Sequence, residues 1–242
     1  MSRRHISFVL ALSVSTVAYA APALSQAACA PEKLNAAVDA FAAEPFSAAT
    51  WRMLNGLGAP EAKADGPSYS GYAAADILSL GFKTSPSHAA LLRGTRSIRD
   101  VDLAQYDGIF VVGGQSPMIT MIGDSTLHAF VARAYETGKI VAIVCHGTCV
   151  LLRTRLSNGD LLVKGKTWTG FANSEEAFAD SFVGQRIQPF WIEEEARKIE
   201  GTNFVVNGMF KPFALRDGNL ITGQQQNSGA AAAALVVEAL GR

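Results

Sequence analysis

Apolar residues change their spacing twice along this chain. Near the start, Arg3 and Arg4 precede a largely apolar run from Ile6 to Tyr19. Residues 31–82 then read as alanine-rich helices: Pro31 opens one that runs to about Glu44, Ser47 caps a second that stops at Gly56, and Gly71 to Leu80 forms a third ended by Gly81. From Asp107 the pattern becomes strand and helix in alternation. Gly108-Ile-Phe-Val-Val112 is a strand covered on both faces and closed by Gly113-Gly114. Asp124 caps a helix whose Leu127, Phe130, Val131, Ala134 and Tyr135 form one apolar stripe before Gly138 stops it. Ile140 to Val144 is a second buried strand, which passes within one tight turn into a helix-compatible sequence. Strand, helix, strand in this order predicts a right-handed parallel crossover and an α/β fold.

Beyond the second strand, Asn158-Gly159 marks a turn before Leu161–Val163, and Lys164-Gly165 another before Thr167–Thr169. Asn173-Ser174-Glu175-Glu176 reads as a capped helix start, Phe190 to Ile199 as a helix halted at Gly201, and Gly229 to Leu240 as the last helix. Short strands are expected at Phe204–Val206, Phe213–Leu215 and Leu220–Thr222.

The basic start, the short apolar run and the small residues at Ala18-Tyr-Ala20 and Ser25-Gln-Ala27 describe a secretory signal peptide. We therefore expect residues 1–27 to be a leader outside the fold, and the protein to be exported, periplasmic or secreted, with no membrane anchor once the leader is removed. Residues 28–242 fit a single α/β domain, of which 28–100 is the helix-rich part. With 49% hydrophobic and 17% charged residues the chain can bury a substantial core and is not disordered. The formal net charge is zero, with no basic block or aromatic-basic stripe, which argues against nucleic acid as a partner. Three cysteines do not make a disulfide framework, and His88 has no Cys or His at metal-ligand spacing, so no metal site is expected.

The chemistry concentrates at Val144-Cys-His-Gly147. A strand that turns abruptly into a helix lifts the turn residue to the C-terminal edge of a parallel sheet, where α/β proteins place their ligands. It also sets the Cys145 sulfur at a helix N-terminus, whose dipole favours the nucleophilic thiolate. A free cysteine is commonly a buried packing residue. The adjoining His146, an acid and base near neutrality, tips the balance toward reactivity.

Four segments occur in order: Asp107-Gly-Ile-Phe-Val-Val-Gly-Gly114; Val144-Cys-His-Gly147; Lys164-Gly-Lys-Thr-Trp-Thr-Gly-Phe-Ala-Asn-Ser-Glu-Glu176; and Asp217-Gly-Asn-Leu-Ile-Thr-Gly-Gln224. Together they resemble the ThiJ/PfpI family, with the class I glutamine-amidotransferase-like fold, and are most similar to its glyoxalase III-like branch. The resemblance covers about Asp100 to Leu240. It implies a flavodoxin-like parallel sheet flanked by helices, with the nucleophile at a strand-turn-helix elbow. It also implies Cys145 as nucleophile, His146 as general base and acid, and Glu176 as the acid that orients the histidine. Glu176, like Glu175, is equally explained as a first-turn acid favoured by the helix dipole. Gly113 and Gly114 would let backbone N–H groups approach an oxyanion, with Gln115 beside them in the pocket. The implied substrate is a small carbonyl or amide compound, with no cofactor. Homodimers are common in the family.

This chain departs from the family pattern in having Gln115-Ser116 where His-Gly is usual, Thr148-Cys149 in place of a proline, and Gln224–Ser228 where an Asn-Pro pair is usual. An N-terminal strand and helix with an acid touching the cysteine has no clear counterpart. Asp76 is a candidate for that acid by its spacing from Gly71, although an exposed helix acid explains it as well. His128 is expected to be solvated, Glu193–Glu195 to be a solvated helix face, and Trp168 and Cys149 to be packing residues. Two readings of other classes compete with an enzyme: a chaperone-like binding protein, and a thiol oxidation sensor built on Cys145.

Overall fold

A computed structural model describes residues 8–11, 86–90 and 95–241. The helices expected between Pro31 and Leu80, and Asp76 with them, lie outside the described residues. The chain divides into two compact units, Met1–Val14 with Ile98–Arg242, and Ser15–Ser97. In the second, the short helix α1 spans Pro86–Ala89.

The larger unit is built on a five-stranded sheet. Its strands are β1 (Phe8–Ala11), β2 (Gly108–Val111), β3 (Ile140–Val144), β6 (Ala214–Asp217) and β7 (Leu220–Gly223), in the order β1-β2-β3-β7-β6. The first four are parallel, and β6 closes the far edge antiparallel to β7. Two further strands, β4 (Thr167–Trp168) and β5 (Asn203–Phe204), pair in parallel as a separate ribbon. Every residue of β3 is buried, which explains why Ile-Val-Ala-Ile-Val carries no alternation: helices cover both sides of a central parallel strand.

Helix α2 is Pro117–Thr120 and α3 is Ser125–Glu136. Asp124 starts α3 as expected, its Oδ1 accepting from the backbone N–H groups of Thr126 and Leu127 at 2.9 and 3.1 Å. Leu127, Phe130, Val131 and Ala134 of the stripe are buried against the sheet, each large side chain contributing about 1.5–3 kcal/mol of hydrophobic stabilisation. Helices α4 (Asn173–Val183), α5 (Ile192–Ala196) and α6 (Gly229–Ala239) complete the described set. The result is the flavodoxin-like α/β architecture, a parallel-dominated sheet flanked by helices. Among the described residues no helix is long and apolar enough to cross a membrane.

Several local expectations are corrected. The helix expected from Phe190 to Ile199 spans only Ile192–Ala196, because Pro189 lacks an N–H and Trp191 is extended at φ −111°, ψ 133°. Glu193 is not solvated: it is 8% exposed, accepts from Asn173 N–H at 2.7 Å and pairs with Arg197 at 2.6 Å. His128 is half-buried rather than solvated, with Nε2 3.1 Å from the Met121 carbonyl. Burial holds its pKa below the usual imidazole value, although that carbonyl opposes the shift. Leu161–Val163 lies in a turn, joined to Arg155 by a single bridge at Leu161. Phe8–Ala11, inside the stretch read as a leader, pairs along the whole of β2.

Candidate active site

The nucleophile candidate stands where β3 ends. Val144 is still extended at φ −129°, ψ 155°, and Cys145 turns the chain at φ +59° into a 3-10 helix spanning Cys145–Leu152. A left-handed conformation on a residue with a Cβ costs on the order of 1–3 kcal/mol and persists only where its surroundings enforce it. Here they do so by close approach. A Cβ on Gly113 would lie 2.5 Å from the Cys145 Cβ and 3.0 Å from its Sγ. One on Gly147 would lie 2.8 Å from the Val112 carbonyl oxygen. The loop after β2 and the turn after β3 are thus in backbone contact, as the parallel pairing of Val111 with Ile143 brings about. The Thr148 hydroxyl ties the turn by donating to the Cys145 carbonyl at 2.7 Å.

His146 lies with Nδ1 3.5 Å from the Cys145 sulfur and Nε2 3.1 Å from Glu176 Oε1. Its ring stacks on Phe171 at 3.9 Å between centroids, 25° from parallel, which fixes the plane in which both contacts are made. Cys145 is 7% exposed, and His146 and Glu176 are 1% exposed. Burial by itself would lower the histidine pKa. The negative sulfur, the hydrogen bonds to Cys145 and Glu176 and the carboxylate charge outweigh it, and the pKa is pushed up to about 10. The imidazole therefore holds its proton across the neutral range.

Glu176 reaches this line from the first turn of α4. That turn is set by its neighbour, whose role the sequence reading understated. Glu175 is fully buried, and its Oε2 accepts from Ala172 N–H at 3.0 Å, the return half of a capping box. Its Oε1 accepts from Phe210 N–H at 2.9 Å and Gln224 Nε2 at 2.8 Å. Burial pushes the Glu175 carboxyl up, against the pull of those donors and the His146 charge. Gln224 in turn accepts from Asn207 N–H at 2.7 Å. Glu175 thus joins the start of α4, the loop 207–210 and the end of β7. The signal was a glutamate three residues after the position preceding the helix, although Asn173, the expected cap, leaves its own Oδ1 unpartnered among the described residues.

Of the predicted pocket residues, Gly113 backs the sulfur, Gly114 is exposed with φ +102°, and Gln115 is half-buried beside them. Cys149 is buried and donates to the Pro117 carbonyl at 3.4 Å. Burial, with the Cys145 charge, pushes its thiol to about 12, so it acts as packing. Trp168 is a core residue, its Nε1 donating to Thr202 at 2.8 Å and its ring edge-on to Phe204. Among the described residues no group of three His, Cys, Asp or Glu side chains is placed to hold a metal ion.

The model of the DJ-1/PfpI family matches residues 83–239, more than half of the chain. The chain belongs to the DJ-1/PfpI family. Relatives include a probable glutathione-independent glyoxalase of Schizosaccharomyces pombe, 28% identical over 150 residues, 62% of this chain and 68% of that protein. Glyoxalase 3 of Candida albicans is 25% identical over 150 residues, 61% of this chain and 64% of the relative. The chain thus spans about two thirds of these relatives' length. The crystal structure of glyoxalase III from Candida albicans superposes with a TM-score of 0.57 at 25% identity, covering 68% of this chain and 69% of that one.

Proposed function

We propose that this member of the DJ-1/PfpI family is a cysteine-dependent, cofactor-independent enzyme acting on a small carbonyl compound. A 2-oxoaldehyde such as methylglyoxal is the leading substrate, and the product is the 2-hydroxy acid. The observation that carries the proposal is the buried line from Cys145 Sγ through the His146 ring to Glu176, at 3.5 and 3.1 Å. The names of the two glyoxalase relatives support the choice of substrate class.

In the proposed reaction the Cys145 thiolate forms a bond to the aldehyde carbon. The carbonyl pair moves to oxygen, and the resulting alkoxide takes the proton held by His146. Neutral His146 then removes the hydrogen of that carbon as a proton, giving an enediolate, and delivers it to the neighbouring carbon while the hydroxyl proton of the first carbon passes to the second oxygen. A thioester remains. Water cleaves it to the 2-hydroxy acid and restores the thiol, so the sum is oxoaldehyde plus water. Glu176 holds the ring tautomer and balances the imidazolium, while backbone N–H groups at Gly114 and His146 face the developing oxyanion.

Lactate formed from methylglyoxal by the purified full chain, beside Cys145→Ser and Cys149→Ser, tests this. Turnover abolished by Cys145→Ser and kept by Cys149→Ser is the expected result. Turnover kept by both rejects the nucleophile assignment. We also propose that the protein is exported, a reading that rests on the composition of residues 1–27 and is checked by intact mass of the protein recovered outside the cytoplasm.

A further inference from the structure

Two loops that lead to this site make a side-chain contact that the reaction above does not use. Gln188 is only 3% exposed although it lies in the irregular segment between α4 and α5, and its Nε2 donates to Oε1 of Gln115 across the gap between the two loops. Both loops lead back to the nucleophile. Gln115 is two residues past Gly113, which lies against the Cys145 sulfur. On the other side, Ile192 packs on Gly170, whose Cβ position is 2.3 Å from the Thr148 hydroxyl that binds the Cys145 carbonyl.

The segment bearing Gln188 is held in place. Ile187 N–H donates to Asp180 at 2.8 Å, Arg186 Nε donates to the Gln188 carbonyl at 3.1 Å, and the Arg186 guanidinium lies 5.0 Å over the Trp191 ring. Around the amide pair, hydrogen-bonding capacity is left over. Ser116 Oγ and Trp191 Nε1 are buried and have no partner among the described residues. Ser116 precedes α2 without capping it. Buried polar groups are nearly always satisfied, and exceptions concentrate where a ligand completes them. One amide–amide bond also leaves an N–H of Gln115 and the carbonyl of Gln188 to serve a third party.

We propose that Gln115, Ser116, Gln188 and Trp191 form a specificity subsite that selects dicarbonyl substrates whose second carbonyl carries a hydroxyl- or amide-bearing substituent over those with a bare alkyl group there. The amide pair supplies a donor and an acceptor, and the hydroxyl next along the chain from Gln115 and the indole N–H three residues on from Gln188 add one group each. An alkyl substituent would leave Ser116 Oγ and Trp191 Nε1 unsatisfied and the spare capacity of the amide pair unused, and sites built to bind a polar group reject the analogue that lacks it. The subsite deepens the enzyme reading, since it rests on Cys145 as the reacting atom, but its test does not require turnover.

The experiment compares alkylation of Cys145 by iodoacetamide, which carries an amide, and by allyl iodide, which does not. Rates are read by mass spectrometry on the full chain, its Gln188→Leu variant and its Gln115→Leu variant. The intrinsic difference between reagents cancels in the ratio of rates. Either substitution is expected to lower the iodoacetamide-to-allyl ratio about tenfold, as loss of one well-placed hydrogen bond implies. The double variant should fall little further, because the two amides act as one unit. Hydroxypyruvaldehyde and methylglyoxal, which differ by one hydroxyl, should show the same change in kcat/KM ratio. An unchanged alkylation ratio in the folded Gln115→Leu protein overturns the subsite. Turnover of neither dicarbonyl, with the alkylation ratio still shifted, overturns the glyoxalase reading and leaves the subsite standing.

Discussion

His146 is where protonation and stability meet. Its folded pKa of about 10 lies above the ordinary value of 6.5, so the folded state binds this proton more tightly than the unfolded chain. The stabilisation is fully present below pH 6.5, declines as pH rises and is lost once pH passes about 10. Urea unfolding of the full chain and of His146→Asn between pH 6 and 10.5 should therefore show the largest difference at the acidic end. A difference that grows with pH would contradict the proton assignment. Replacing Glu176 by Gln keeps the shape but removes the charge that steadies the imidazolium, and should lower kcat about 100-fold, within the range ascribed to positioned acid–base groups. Glu175→Ala acts differently. It strips three donors of their acceptor, two of them buried, and should cost about 3 kcal/mol in unfolding free energy. Cys145 and His146 were legible because two chemically active side chains stand side by side at a strand end. Glu175 and Glu176 are adjacent acids in one helical turn. Only the fold shows that one meets His146 and the other meets Phe210 and Gln224, contacts made across 30, 35 and 49 positions.

At the scale of elements, pattern predicted well wherever one local rule decided the outcome. Strands β2, β3 and β7 and helices α3 and α6 were visible because buried parallel strands and a capped amphipathic helix carry their signatures within their own residues. The helix read from Phe190 to Ile199 shrinks to Ile192–Ala196 because Phe190 and Trp191 follow Pro189, Trp191 in extended backbone with the Arg186 guanidinium over its ring, which no helical period reveals. The junction of β2 and β3 makes a sharper test. Gly113→Ala places a methyl against Cys145 and should cut Cys145 alkylation at least tenfold, as the loop or the sulfur is displaced; off-rotamer and overpacking costs of about 1–3 kcal/mol are of that order. Gly229→Ala, at the start of α6 with φ −58° and open space around its Cβ position, should leave alkylation alone and raise stability by about 0.5–1 kcal/mol. Equal effects from the two substitutions would show that the contact at Gly113 is not what holds the nucleophile.

For the whole molecule, the open question in physical terms is what becomes of the sheet edge. Residues 1–27 carry the composition of a leader, yet Phe8–Ala11 pairs with all four residues of β2. Both readings come from one property, since an apolar, β-branched stretch suits a translocation signal and a parallel edge strand equally well. They diverge once residues 1–27 are removed. The chain then ends its sheet at β2, whose unpaired N–H and C=O groups would face solvent, a template for pairing with another molecule. Losing a short edge strand forfeits a few backbone hydrogen bonds, about 2–4 kcal/mol at about 1 kcal/mol each. A chain of residues 28–242 is therefore expected to melt lower than the full chain, by roughly 5–15 °C given about 2–4 °C per kcal/mol for a protein of this size. It should also sediment as a concentration-dependent dimer or larger species. Cys145 should still react, because β3 lies between β2 and β7 and keeps both neighbours. Equal melting temperatures for the two chains would mean that the leader contributes nothing to the sheet in solution, and processing would then leave the catalytic unit intact. A lower melting temperature with self-association would instead make removal of the segment a step that changes the protein's stability and its company, with the site unaltered.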